Sequence, residues 1–361
     1  MSKQLDKLVT DVMAGRIGRR EFLRRAAQLG SAAAVLGAAG ALPRTTRAAE
    51  NADILIGFSF TSFEHFRWQH DRRYFEDRAK ELGFQYVIQG AEEDVAKQET
   101  QVEAMIAQGI KALVLLPVNV DAAVALVERV KSEANIPVIS YNYVVPTPKL
   151  DYWCARNNYL VGEIQAKQAL EDAEKGMWAI VSGPNGVDVA RQKTEGALRV
   201  LQPHIDSGEI EIVSHEWHDA WRSEGALKQI ENALTKTNNE LKCVIANEDG
   251  LALGSLQALS EQGLDGKVWL CGEDVFPEVA REIVNGRINL SAWTDLIQMG
   301  HSAADAALAL AKGEPPPSND AVDIQGTSVP GMRIESRGVT KANLREFLEL
   351  TDWLKPEDVG L

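Results

Sequence analysis

Short apolar runs alternate with amphipathic segments along the chain from about residue 53 onward. The segment 65–82, for example, places Phe66, Phe75 and Leu82 on one side, as an α-helix does. The predicted elements of this first set are strands at 54–58, 84–88, 112–116 and 137–141 and helices at 65–82, 95–108 and 121–134. Strands that are apolar on both faces and separated by helices indicate a parallel sheet covered on both sides.

The same alternation restarts after about residue 158. The predicted helices of this second set are 159–173, 188–203, 221–235, 249–263 and 277–285, and the strands are 177–182, 210–214, 243–246, 268–271 and 288–293. A last helix at 296–312 ends before the prolines Pro315 to Pro317, which cannot continue a helix. The pattern therefore predicts an α/β protein with two doubly wound parallel-sheet lobes.

The first 49 residues have the pattern of an export signal. The run from Arg19 to Leu23 resembles the twin-arginine signature, and a weakly apolar stretch rich in Ala and Gly follows it. Ala48 and Ala49 offer a small-residue cleavage site. We predict a periplasmic protein that is exported by the twin-arginine pathway and begins near Glu50. The alternative is an uncleaved basic amphipathic helix.

Length and charge narrow the classes of function. The 361 residues are enough for two domains, and the formal net charge is −14. The first 49 residues are basic, so the body of the chain is more acidic than the total suggests. An acidic body repels phosphate backbones, so nucleic-acid binding is not expected. Solubility alone also accounts for the charge.

The cysteines do not form a metal-binding or redox motif. Cys154, Cys243 and Cys271 contain no CxxC pair, and the last two lie inside apolar runs that are predicted as strands. We expect buried free thiols, with a disulfide as the alternative in an oxidising compartment.

The sequence contains no recognised catalytic motif. There is no Gly-rich phosphate loop, no HExxH and no GxSxG elbow, and His215 and His218 have no third ligand for zinc. The adjacent carboxylates Glu248 and Asp249 could act as acid and base, but neighbours at a strand end point in different directions. We therefore expect no enzyme activity, no cofactor and no metal.

Polar and aromatic residues collect where the predicted strands end, which is where open parallel sheets bind ligands. Two facing sheets would form a cleft there. A sugar or polyol packs its C–H face on an aromatic ring, and planar polar groups bond its hydroxyls. The candidate ligand-binding residues are Phe60, Glu64, Arg67, Asn119, Asn142, Tyr143, Asp188, Arg191, Trp217, Trp221, Glu248, Asp274 and Thr294. Four other tryptophans are expected in the core: Trp153, Trp178, Trp269 and Trp353.

Six segments in order carry a resemblance to a known family. They run from Arg67 to Arg72, Gln101 to Ile106, Val161 to Ala166, Val200 to Gly208, Glu231 to Thr235 and Leu256 to Leu264. Together they resemble the type I periplasmic sugar-binding proteins, and within that family most closely the D-xylose-binding proteins. The resemblance covers about 53–345.

The resemblance implies two lobes joined by three crossovers that close around one sugar. With it we place the first lobe at 52–157 plus 294–325 and the second at 158–293 plus 326–361. It also implies a monomer that delivers its ligand to the permease of an ABC importer.

Three pocket positions of the family are kept, and others differ. Arg67 matches an arginine that reaches the sugar, Trp221 the stacking ring and Asp274 a carboxylate that bonds two hydroxyls. The positions that depart from the family pattern are Asn142, Tyr143, Glu248 and Thr294. Asp188 and Arg191 lie in a loop where the family also has ligand contacts. Lost hydrogen-bond partners cost about 1–3 kcal/mol each in a dry site, so we expect a relative of xylose, such as a sugar alcohol or cyclitol.

Three other classes of function compete with an importer subunit. A sensor that presents its ligand to a membrane chemoreceptor or histidine kinase would have the same sequence features. A transcription regulator of the same fold would need a helix-turn-helix, which 1–49 do not contain. A periplasmic enzyme would change its ligand chemically.

Overall fold

The computed structural model describes residues 50–186, 188–351 and 353–361. The predicted export signal therefore lies outside the described residues. The strands are β1 (Leu55–Phe60), β2 (Gln85–Gly90), β3 (Ala112–Leu115), β4 (Val138–Tyr141), β5 (Tyr152–Arg156), β6 (Gly176–Ser182), β7 (Ile210–Trp217), β8 (Leu241–Ala246), β9 (Trp269–Glu273), β10 (Leu290–Thr294), β11 (Asp320–Ile324), β12 (Thr327–Ile334) and β13 (Ser336–Thr340).

The α-helices connect successive strands of each sheet and cover its faces. They are α1 (Phe66–Leu82), α2 (Val95–Ala107), α3 (Val120–Glu133), α4 (Asn158–Asp172), α5 (Asp188–Asp206), α6 (Ser223–Lys236), α7 (Asp249–Glu261), α8 (Pro277–Asn285), α9 (Leu296–Ala311) and α10 (Leu344–Thr351). A 3₁₀ turn follows at Pro356–Val359. No helix of the described residues has the length and apolar character needed to span a bilayer.

Residues 54–80 and 85–361 form one compact unit, which holds both sheets. Residues 50–53 and 81–84 belong to a second unit, in which the Asn51 side chain donates to the Leu82 carbonyl at 2.8 Å.

The first sheet has the order β11-β12-β5-β4-β3-β1-β2. Strands β1 to β5 are parallel, with Phe58 opposite both Ile88 and Val114. All four residues of β3 and all four of β4 are buried, as expected for strands covered on both faces. The edge strand β11 is antiparallel to β12, so the sheet is mixed rather than wholly parallel.

The second sheet has the order β13-β10-β9-β8-β6-β7. Its strands β6 to β10 are parallel, and β13 runs antiparallel to β10 with Gly338 opposite Ala292. The predicted fold class of two α/β lobes is thus confirmed, with an antiparallel edge strand added to each sheet.

The chain passes between the two sheets at three places among the described residues. These are β5 to α4, β10 to α9, and β12 to β13. Helix α9 packs on the first sheet, as the expected segment 294–325 requires. The expected boundary at 325/326 is wrong, because Thr327–Ile334 pairs with β5 in the first sheet and the third passage follows Ile334.

Each lobe has its own apolar core. Leu113, Val127 and Trp153 belong to the first core, and Trp178 and Ile245 to the second. The four tryptophans that were expected in the core are buried. The three cysteines are buried and unpaired, as expected, and burial raises the pKa of each thiol. Thiols in this state are poor nucleophiles.

Polar side chains at the ends of several strands begin the next helix. Asp94 accepts a hydrogen bond from the backbone N–H of Lys97, and Asn119 accepts one from Ala122. Such side chains satisfy the free N–H groups of the first helical turn. A polar residue at a strand end therefore has two possible roles, helix capping and ligand binding.

Candidate ligand-binding site

A cavity of about 180 Å³ lies between loops that follow strands of both sheets. We call it the inner cavity. Six of the predicted site residues line it: Arg67, Asn142, Tyr143, Trp221, Glu248 and Asp274. It is also lined by Thr61, His65, Trp68, Glu93, Arg156, Val189 and Lys193. Both lobes thus contribute side chains to this one cavity.

Arg67 is buried at the start of α1 and makes ionic contacts in both lobes. Its Nε donates to Asp71 Oδ2 at 3.2 Å, and its Nη1 lies 3.9 Å from Asp274 Oδ1. Its Cζ is 4.9 Å from the centroid of the Trp68 ring. Asp71 also accepts a hydrogen bond from the Tyr141 hydroxyl. Because Asp71 and Asp274 both contact the guanidinium, it has a fixed position beside the cavity.

Arg156 and Lys193 join the end of β5 to the second sheet through Glu273. Arg156 Nη1 is 2.9 Å from Glu273 Oε1 and 3.4 Å from Asp274 Oδ1. Lys193 forms an ion pair with the other Glu273 oxygen and donates to the Asn247 carbonyl at 3.2 Å. Glu273 is fully buried, so these two cations offset the desolvation of its charge.

Asp274 is the carboxylate on which the cations converge. Burial alone would raise its pKa, but Arg156, Arg67 and Lys193 hold the pKa below its ordinary value. Its backbone has a φ of 93°, a left-handed value that costs a non-glycine residue about 1–3 kcal/mol. The N–H of Asp274 donates to the Ala292 carbonyl at 2.8 Å, which helps to hold this conformation. The surrounding structure thus fixes an ionised carboxylate at the cavity wall.

Glu248 and Asp249 point in different directions, as predicted. Glu248 caps α7, where Oε2 accepts from the N–H of Gly250 at 2.8 Å, and its side chain lines the inner cavity. Burial raises the pKa of Glu248 to about 8, and the nearby Asp274 carboxylate adds to the rise. Asp249 instead bonds the N–H of Phe276 and the hydroxyl of Ser291 at 2.7 and 2.8 Å. Asp249 is therefore structural.

Trp221 supplies the aromatic wall of the inner cavity. Its ring lies so close to Gly183 that a Cβ at this position would be 2.2 Å from a ring carbon. The ammonium of Lys193 is 5.0 Å from the centroid of the ring, within the range of a cation–π contact. The glycine and the lysine together fix the ring where it can support an apolar ligand face.

Asn142 and Tyr143 follow β4 and line the inner cavity beside the charged groups. Asn142 has a φ of 65°, which asparagine tolerates better than most residues, and its buried Oδ1 has no hydrogen-bond partner. Burial raises the pKa of the Tyr143 hydroxyl, so this group stays neutral and can both donate and accept.

Three predicted residues line a second space instead. Asn119, Asp188 and Arg191 border an adjacent cavity of about 640 Å³, which we call the outer cavity. Four residues line both cavities: Asn142, Tyr143, Arg156 and Val189. Asn119 is the exposed cap of α3, and Asp188 and Arg191 form an exposed ion pair with each other. These groups are already satisfied by the protein or by solvent.

Four predicted residues lie outside the lining of both cavities, which corrects their expected role. Phe60 is buried in the core, with its ring 4.0 Å from that of Phe58. Glu64 is exposed, and Trp217 is 36% exposed at the end of β7. Thr294 is buried at the second passage between the sheets, with its hydroxyl 3.2 Å from that of Ser336. Strand ends supply core and hinge residues as well as ligand contacts.

Sequence reasoning missed His65, Arg156 and Lys193. Lys193 lies on the buried side of α5 together with Val189 and Ala197, and a lysine on an apolar helix face is a usable signal. Arg156 gave no such signal, because strand β5, which ends at this residue, was not predicted. His65 follows β1 in the segment that supplied Glu64 and Arg67.

The inner cavity is poorly suited to a metal ion. Among the described residues, one group of potential ligands is close enough to bind one: His65, Glu248 and Asp274, whose ligand atoms lie within 4.8 Å of one another. Nδ1 of His65 accepts the N–H of Arg67 at 3.3 Å, so coordination of a metal by this nitrogen would cost that hydrogen bond. His215 and His218 bond Ser182 and Gln229 instead.

Comparison with known proteins identifies relatives over most of the chain. A model of the periplasmic binding protein domain matches residues 56–315. The D-xylose-binding periplasmic protein of Haemophilus influenzae is 33% identical over 313 residues, 87% of this chain and 94% of that protein. The D-xylose-binding periplasmic protein of Escherichia coli is 32% identical over 302 residues, 84% of this chain and 91% of that protein.

A solved structure shares the fold. An ABC transporter solute-binding protein from Clostridium phytofermentans with bound β-D-glucose has a TM-score of 0.73 and 24% identity. The match covers 84% of this chain and 99% of that one. These similar proteins are binding proteins rather than enzymes, which agrees with the expectation drawn from the missing catalytic motifs.

Proposed function

The chain belongs to the periplasmic binding protein family, and from this premise we propose that it captures a monosaccharide or polyol in the inner cavity and delivers it to the permease of an ABC importer. The observation that carries the proposal is the convergence of Arg67, Trp221 and Asp274 on one cavity between the two lobes.

The cavity has the two features that a polyhydroxylated ligand requires. Trp221 offers an aromatic face for C–H groups, and Asp274, Arg67 and Asn142 offer planar donors and acceptors for hydroxyls. A volume of about 180 Å³ limits the ligand to a small molecule. An indole beside ionic groups in a buried site selects for molecules with one apolar face and many hydroxyls.

Binding and closure are coupled in the proposed mechanism. Arg67 on α1 and Arg156 on β5 both approach Asp274, which follows β9 in the other sheet. A ligand that bonds these groups contacts both lobes only when the lobes are together, so it shifts the population toward the closed form. The permease would then recognise the closed form.

We further propose a relative of xylose, such as a sugar alcohol or cyclitol, rather than xylose itself. Asn142, Tyr143 and Glu248 all line the inner cavity and are the positions that depart from the family pattern. Each departure changes which hydroxyls can be bonded, and unpaired polar groups in a dry site are costly.

A ligand screen tests the function. Thermal unfolding of the mature protein should be followed with pentoses, hexoses, their alcohols and inositols, and each hit measured by calorimetry. A true ligand at about 100 times its Kd should add roughly 2.7 kcal/mol to the free energy of unfolding. The specificity proposal is wrong if xylose binds tightly and no polyol binds. The function itself is wrong if none of these compounds binds.

The proposed location is the periplasm, reached by the twin-arginine route. Support for the route comes from the run Arg19 to Leu23. Replacing Arg19 and Arg20 together by lysine should leave the uncleaved precursor in the cytoplasm, and normal export of this variant would refute the route.

A further inference from the structure

Glu248 is the buried carboxyl of the inner cavity that has no cationic partner among the described residues. Each of the three buried cations there is within 4.0 Å of another carboxylate: Arg67 of Asp71 and Asp274, Arg156 of Glu273 and Asp274, and Lys193 of Glu273. No cationic nitrogen of the described residues lies that close to Glu248. The charges of the three buried cations are therefore balanced without Glu248.

One oxygen of this carboxyl is available to a ligand. Oε2 accepts hydrogen bonds from the N–H groups of Gly250 and Leu251, at 2.8 and 3.4 Å, while Oε1 has no hydrogen bond among the residues described. The whole residue is 4% exposed and lines the inner cavity. Its carboxyl also lies within 4.8 Å of that of Asp274. Two carboxyl groups from neighbouring strand ends therefore face one small ligand.

Two adjacent carboxyl groups favour a ligand with positive charge and several N–H donors. A divalent metal would need His65 as its third ligand, and its Nδ1 already accepts a hydrogen bond from the N–H of Arg67. An ammonium group carries one charge and three donors, enough to bond both carboxylates with charge-assisted hydrogen bonds. We propose that the inner cavity selects a polyol or sugar in which one hydroxyl is replaced by a protonated amine, with the ammonium between Glu248 and Asp274; this rests on the proposed function.

Binding of an amine should be detectable as the release of a proton from Glu248. The groups that face it are Asp274, Lys193, Asp249 and His65. In the empty protein its pKa is about 8, so the carboxyl is mostly neutral at pH 6.5. An ammonium beside it lowers that pKa, and the carboxyl must release its proton on binding. A neutral polyol carries no charge that would force this release.

Matched pairs of ligands test the inference in the full-length mature protein. Calorimetry at pH 6.5 would compare D-glucose with D-glucosamine, D-galactose with D-galactosamine, and myo-inositol with a monoamino-deoxyinositol. We expect at least one amine to bind about tenfold or more tightly than its hydroxyl counterpart. Repeating the titration in buffers of different ionisation enthalpy should show release of about one proton for the amine and none for the hydroxyl compound.

Glu248→Gln should abolish both the preference for the amine and the proton release. Asp94→Asn is the matched control, because Asp94 is also an acidic helix cap but is exposed and outside the inner cavity. The inference is overturned if hydroxyl compounds bind and no amine binds more tightly, or if Glu248→Gln keeps the preference. If neither member of any pair binds, and the wider screen is also negative, the proposed function fails and the inference fails with it.

Discussion

The inner and outer cavities are adjacent but use their polar residues in different ways. Around the inner cavity the charged groups are buried and paired across the two lobes, as in the contacts of Arg67 and Arg156 with Asp274. Around the outer cavity Asn119 caps a helix, and Asp188 and Arg191 pair with each other in solvent. A buried polar group destabilises the protein unless it forms hydrogen bonds or ion pairs, whereas an exposed one remains hydrated at little cost. Ligand affinity should therefore depend on the inner set.

The largest difference in ligand affinity is expected between variants of the carboxylates at the two cavities. Asp274→Ala should weaken ligand binding at least about 100-fold, because it removes a ligand contact and leaves Arg67 and Arg156 facing each other without their shared anion. Asp188→Ala, at the outer cavity, should change affinity less than about threefold. Calorimetry with the best ligand of the screen measures both.

Asp274→Asn keeps the shape of the side chain, so it tests the role of the charge even if the alanine variant fails to fold. Far-ultraviolet circular dichroism should show that it folds, and its affinity should still fall by about tenfold or more. Equal losses for the variants at 274 and 188 would remove the distinction between the two cavities.

A smaller difference in ligand affinity is expected between variants of the two tryptophans, Trp221 and Trp217. Trp221→Ala should weaken binding by about tenfold to 30-fold, since the ligand loses the ring that supports its apolar face. Trp217→Ala is the matched control, because this ring is 36% exposed and lies outside the lining of the inner cavity. If both variants bound with wild-type affinity, stacking on the indole would be excluded.

A separate effect concerns the free energy of unfolding and its dependence on pH without any ligand. The pKa of Glu248 is raised by burial to about 8, so the folded state holds a proton that the unfolded state releases from about pH 4.5 upward. Stability from this group is complete below that pH and is lost as pH rises through 8. Relative to Glu248→Gln, the wild type should lose up to about 1.4 kcal/mol per pH unit in this window.

Denaturant unfolding of both proteins from pH 5 to pH 9 measures this difference. Parallel profiles for the wild type and Glu248→Gln would show that the carboxyl has an ordinary pKa.

Most strands of both sheets were predictable from the sequence, whereas the interior strand β5 and the C-terminal strands β11, β12 and β13 were not. Strands such as β3 and β8 are continuous apolar runs bounded by turns, which is the strongest strand signal. The hairpin of β11 and β12 alternates buried and exposed residues and contains Pro330, so it lacks that signal. Strand β5 follows a segment with Pro146 and Pro148 and was not predicted.

The candidate site was predictable only where residue type and strand end coincided. Trp221, Glu248 and Asp274 satisfy both conditions and line the inner cavity. Arg156 does not, because its role depends on Asp274, which is 118 residues away in the sequence. Phe60 satisfies both but is buried in the core, since the side chain at a strand end can turn to either face of the sheet.

The most direct test is a crystal structure with the tightest ligand of the screen. The account predicts one molecule in the inner cavity, with a face on the Trp221 ring and hydrogen bonds to Arg67 and Asp274. A ligand bound in the outer cavity alone, or one that contacts a single lobe, would contradict it.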